Sequence, residues 1–131
     1  MLFILRAFDD IKDAGDIYYS MNKNKKNVIG GKFIPLVLPS NNNILNRYIK
    51  NNKVSLMETV ISSIDYAVAR NLPIAEAFTF EDTDFVITIN NESFKENVEQ
   101  IYQYYIDNEY YELCNRVLKL KQKLNEKQKC G

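Results

Sequence analysis

Apolar residues along this chain recur with two periods, and the switch between them marks out its elements. Leu56, Val60, Ile64, Ala67 and Val68 fall at helical spacing and make one apolar stripe. Ser55 and Glu58 before it have the form of a capping box, in which the serine accepts one orphan N–H and the glutamate reaches back to another. Asn71 suits the left-handed position after a helix, and Pro73 stops it. The pattern predicts a helix over about 55–70. Ser93 and Glu96 repeat the capping form, with Phe94, Val98, Ile101 and Tyr105 behind them. Asp107–Glu109 interrupts this second stripe, and Tyr110, Leu113, Val117, Leu120 and Leu124 resume it. So short a connection predicts an antiparallel helical hairpin near 94–126, with Ile101, Leu113, Val117 and Leu120 buried.

Between the helices the period falls to two. Ile74–Phe80 alternates, with Ile74, Phe78 and Phe80 on one face, and Phe85, Ile87 and Ile89 alternate after it. The polar link Glu81–Asp84 makes residues 74–89 a β-hairpin. Val28–Phe33 reads as a turn at Gly30 and Gly31 between extended segments. Phe33–Leu38 is a strand that Pro35, lacking an N–H, confines to an edge or makes irregular. Pro39 ends it, and Ser40 or Asn41 caps a short helix with Ile44, Leu45, Tyr48 and Ile49 inward. Met1–Phe8 opens the chain with an apolar run. Ile11, Ala14, Tyr18 and Met21 follow at helical spacing, and Asn22–Asn27 is a basic loop. The expected fold is α+β in one domain: a small antiparallel sheet from parts of 28–38 and 74–89, packed with helices and closed by the C-terminal helical hairpin.

Composition narrows the chemistry. With 46% hydrophobic and 26% charged residues in 131, the chain is globular rather than disordered. Its longest apolar runs, Met1–Leu5 and Phe33–Leu38, are far short of the roughly 20 residues that span a bilayer, so no membrane association is expected. Asp9 and Asp10 follow the first run, and no basic segment precedes it, which is not the form of a secretory leader. The expected location is the cytoplasm. The chain has no histidine, which removes Ser–His and Cys–His catalysis. Cys114 and Cys130 alone cannot close a zinc site, and they read as a buried helical thiol and a terminal one. No enzyme activity and no cofactor are expected. Abundant Asn, Lys, Ile and Tyr, with Trp absent, match AT-rich codons and suggest an AT-rich genome: a low-GC bacterium, its phage or another mobile element.

The zero net charge hides segregation. Residues 21–53 hold seven basic side chains and no acid, residues 54–112 two basic and twelve acidic, and residues 113–131 six basic and one acidic. Such blocks pair within one fold or between copies of it. Lys23, Lys25, Lys26, Lys32, Arg47, Lys50 and Lys53 are candidate phosphate contacts, with Tyr48 a candidate stacking ring. Glu76, Glu81, Asp82 and Asp84 lie together in sequence but lack the spacing of a calcium loop, and read as a solvated turn. Gly30 and Gly31 sit in no phosphate-loop motif. Tyr102, Tyr104, Tyr105, Tyr110 and Tyr111 crowd the last hairpin, and helical geometry cannot bury all five on one face. Tyr102, Tyr104 and Tyr111, with Arg116, are candidate protein-interface residues.

The segment from Tyr105 to Lys119 resembles the UVR motif, a helical hairpin of excision-repair subunits and Clp-protease adaptors. Tyr110, Glu112, Leu113, Cys114 and Arg116 take the motif's aromatic, acidic, small-or-apolar and basic positions. Leu113 stands where the family usually has alanine, and Leu118 where it often has a charge. The resemblance covers about residues 98–124 and implies protein–protein contact through the hairpin. The expected function is a non-catalytic protein-binding or assembly protein, acting as a host-factor inhibitor or a particle component. Its partner would be another protein or a second copy. The alternative is a small nucleic-acid-binding regulator using residues 23–53.

Overall fold

Pro35 breaks the apolar run around it as its missing N–H requires: Lys32–Phe33 (β2) and Leu36–Leu38 (β3) are separate strands, with Ile34 and Pro35 between. The computed structural model describes the backbone of residues 28–29 and 32–130, and side chains over 32–126. The expected apolar start Met1–Phe8, the helix from Ile11 to Met21, the loop Asn22–Asn27, the Gly30–Gly31 turn and the Cys130 thiol lie outside these. Val28–Ile29 (β1) pairs antiparallel with β2, joining Val28 to Phe33.

Asn41 caps the next helix, Asn42–Asn51 (α1). Its Oδ1 accepts from the Asn43 and Ile44 N–H groups at 2.9 and 3.1 Å. Tyr48 and Ile49 face inward and Leu45 is half-buried, whereas Ile44 lies on the outer side, 39% exposed. The chain bends at Asn52, whose N–H and Nδ2 both donate to the Tyr48 carbonyl, and restarts as Lys53–Ala69 (α2). That start removes the capping box expected at Ser55, which is already inside the first turn, where its carbonyl accepts from Thr59 Oγ1. The expected stripe is buried throughout, and Met57, Thr59, Ile61 and Ser63 are buried beside it, so α2 is the central helix. The hydroxyls of Thr59 and Ser63 bond back to their own helix, so neither is left unpaired. At the far end Asn71 takes φ 55°, and the Leu72 N–H returns to the Ala67 carbonyl, a Schellman closure on the residue expected there.

Ile74–Phe80 (β4) and Val86–Asn90 (β5) form the expected hairpin, and β3 lies on the other side of β4. The sheet is mixed rather than wholly antiparallel: β4–β5 is antiparallel, while β3–β4 is parallel, with Leu36 beside Phe78. Helices α1 and α2 form the long crossover that parallel neighbours need. A register shift between Glu76 and Phe78 changes which side chains face in. Ala75, Ala77 and Phe78 are buried and Ile74 is exposed, where simple alternation placed Ile74 on the inner face. Ser40 fastens the turn after β4: its hydroxyl donates to the Glu81 carbonyl, and its N–H points at the Glu81 carboxylate.

A single 3-10 turn, Asn91–Ser93, leads into Phe94–Asp107 (α3), followed by Tyr111–Cys130 (α4). The turn holds Ser93 at φ −101°, ψ 0°, away from extended backbone, and its side chain makes no cap bond. The second expected capping box is therefore also absent. The hairpin itself stands: Phe94, Val98, Ile101 and Tyr105 of α3 meet Cys114, Val117, Leu120 and Leu124 of α4 in one core cluster with α2 and the sheet. Leu113 is only half-buried, because Cys114 takes the inward place.

Candidate functional site

The bend between α3 and α4 gathers Tyr104, Tyr105, Tyr110 and Tyr111, four of the five tyrosines that the sequence singled out. Glu109 takes φ 60°, its N–H donates to the Ile106 carbonyl, and the Tyr110 N–H reaches the Tyr105 carbonyl at 2.8 Å. This is a second Schellman closure, and its usual apolar contact is made by rings. Tyr110 meets Tyr105 edge-on at 6.3 Å between centroids and Tyr104 at 6.4 Å. Tyr105 is buried, Tyr104 half-buried, Tyr110 40% exposed and Tyr111 58% exposed. The Lys53 ammonium stands 5.8 Å from the centre of the Tyr104 ring.

The four expected interface residues do not share one surface. Tyr102 and Tyr104 stand two positions apart, about 200° round α3. Tyr102 lies under the Lys121 ammonium at 4.4 Å. Tyr111 and Arg116 are about 140° apart on α4. Arg116 turns to α2, where its Nη2 donates to Ser62 Oγ at 2.8 Å. One helical heptad on, Lys123 pairs with Asp65 at 3.1 Å. Part of the basic C-terminal block thus meets the acidic block inside the fold. Only Tyr104 and Tyr111 of the four belong to the bend.

The basic candidates are also divided. Lys23, Lys25 and Lys26 lie outside the described residues. Arg47 and Lys50 are exposed three positions apart on one side of α1, and Lys53 is half-buried. Lys32 belongs to β2, whose Phe33 ring lies 6.2 Å from Tyr66. Tyr66 is thirteen residues along α2 from Lys53, ~20 Å away. Tyr48, the expected stacking ring, is 2% exposed and belongs to the core.

Two features escaped the periodicity. Phe85 precedes β5 and is 74% exposed. The hydroxyl of Tyr105 is buried without a hydrogen-bond partner, beside a cavity of about 70 Å³ lined by Glu58, Glu112 and Arg116 among others. Burial, then the Glu58 carboxylate, push its pKa above the ordinary tyrosine value, and the Arg116 guanidinium opposes them. Larger clefts of about 320 and 280 Å³ open at the C-terminal end of α2. Among the described residues no three Asp, Glu, His or Cys side chains are grouped to hold a metal ion, Glu76, Glu81, Asp82 and Asp84 included. No described helix is long and apolar enough to cross a membrane. No family model, curated protein or solved structure matches the chain.

Proposed function

We propose that this chain is a non-catalytic protein-binding module that presents the bend of its C-terminal hairpin to a partner. The observation that carries this reading is the tyrosine cluster: exposed Tyr110 packs against half-buried Tyr104, exposed Tyr111 follows it at the start of α4, and a Schellman closure holds the backbone. Tyrosine suits such a surface because its rigid ring gives contact area at small entropic cost and its hydroxyl adds a directed bond. The UVR resemblance agrees in placing contact at this hairpin. The abundance of residues that AT-rich codons encode extends the reading to a phage or mobile-element product that blocks a host factor or forms part of a particle, acting in the host cytoplasm. Nucleic-acid binding through residues 23–53 is the weaker reading, since Lys32 and Lys53 stand at opposite ends of α2 and Tyr48 is buried.

The test is affinity capture from native host extract with the parent chain and with Tyr111→Ser, each with and without nuclease. A protein retained by the parent, lost with the variant and indifferent to nuclease is the expected result. Recovery that nuclease abolishes and Tyr111→Ser leaves alone would favour the nucleic-acid reading.

A further inference from the structure

Among the described residues, strand β5 stands at the end of its sheet and pairs with β4 alone. Among the described residues no backbone hydrogen bond reaches its other edge. An open edge is a row of N–H and C=O groups that another strand can satisfy, and folded chains usually guard it with charge, proline or a covering element. The run Phe85–Ile89 has none of these residues; all five are aromatic or β-branched. At its head Phe85 is 74% exposed. By the two-residue period it shares a face with half-buried Ile87 and buried Ile89, so it stands where the core layer runs out.

We propose that the β5 edge pairs antiparallel with the β5 edge of a second copy of this chain, making one continuous sheet from two. The strand's own sequence selects that occupant. Two-fold pairing of a strand with itself is self-complementary. A register centred on Ile87 sets Phe85 of each copy opposite Ile89 of the other, and Val86 opposite Thr88. Each Phe85 then lies diagonally across from the other copy's half-buried Ile87 and extends over its open side. Asp84 meets Asn90, so within the paired run no two carboxylates oppose each other. A strand of different sequence would have to supply its own aromatic cover, whereas the copy already carries it. This interface is separate from the tyrosine bend and does not depend on its role.

Light scattering against concentration tests the pairing. The parent's mass rises from the 15.3 kDa of one chain to twice that. Val86 and Thr88 are exposed, so charges there leave the fold intact. V86K/T88K sets lysine against lysine at both ends of the pairing, and the concentration needed for half-dimer rises on the order of tenfold. V86K/T88E sets lysine opposite glutamate in the same register and dimerises at or below the parent's concentration. A parent that stays monomeric up to its solubility limit, or two double variants with the same concentration dependence, overturns the proposal. Tyr111→Ser leaves the dimer intact; loss of the dimer in that variant would move the interface to the bend and overturn it equally.

Discussion

Tyr105 shows how much one atom alters a residue that looks like plain core. Its ring fills the inward position of α3, but its hydroxyl is buried unpaired, and burial with Glu58 nearby favours the protonated form. The unfolded chain therefore gives up this proton first, at a pH of about 10. The group's contribution to stability is whole below that pH and falls as pH rises above it, by at most about 1.4 kcal/mol for each pH unit. Tyr105→Phe removes this dependence. Urea unfolding at pH ~8 and ~10.5 is expected to show a smaller loss in the variant than in the parent. At the lower pH the substitution costs little, since it deletes a hydroxyl that has no partner to orphan. Equal losses in the two proteins would place the alkaline sensitivity elsewhere. None of this was legible in the sequence, because periodicity sorts residues by where the side chain points and treats tyrosine there as phenylalanine. Ile101, Val117 and Leu120, which have no polar atom to place, were legible from spacing alone.

For elements, existence and order were readable and starting points were not. A capping box is only a serine and a glutamate three apart, a pair that occurs inside helices as easily as at their starts. What decides is the backbone before it, and here the bend at Asn52 and the 3-10 turn at Asn91–Ser93 each displaced the expected cap. Asn41, following Pro39, does cap its helix. Asn41→Ala is accordingly expected to destabilise by about 1 kcal/mol. Ser55→Ala should stay within about 0.5 kcal/mol of the parent, as for a surface position without a special contact. Chemical denaturation of the two variants side by side checks the assignment, and a reversed order would return the cap to Ser55. The sheet departed from its reading for similar reasons. Alternation cannot foresee a register shift, so Ala75 and Ala77 face inward where Ile74 was expected. Strand direction is set by the crossover α1–α2, which strand periodicity does not encode.

At the scale of the molecule, the buried residues of the helices and the three-stranded sheet form one cluster. Truncating Ile101 to Ala, at the centre of the C-terminal hairpin, should cost roughly 2–5 kcal/mol. The loss should shift one transition seen alike by far- and near-ultraviolet circular dichroism, as a single cooperative unit requires. A separate early transition in the variant would make the C-terminal hairpin its own unit. The charge blocks follow the same logic of scale: neutral in sum and segregated in sequence, they begin to pair across α2 and α4 through Lys123 and Asp65. The candidate surfaces were only partly legible, because residue type marks tyrosines and lysines but not whether they converge. The parallel partnership of β3 has a further consequence, for the chain as it is made. Leu36 pairs with Phe78, about forty positions further on. A ribosome adding about 5–20 residues each second brings out the apolar Phe33–Leu38 stretch several seconds before its partner strand exists. Through that interval the nascent chain carries a strand that nothing in its own sheet can yet cover, which is the window for a chaperone to hold it.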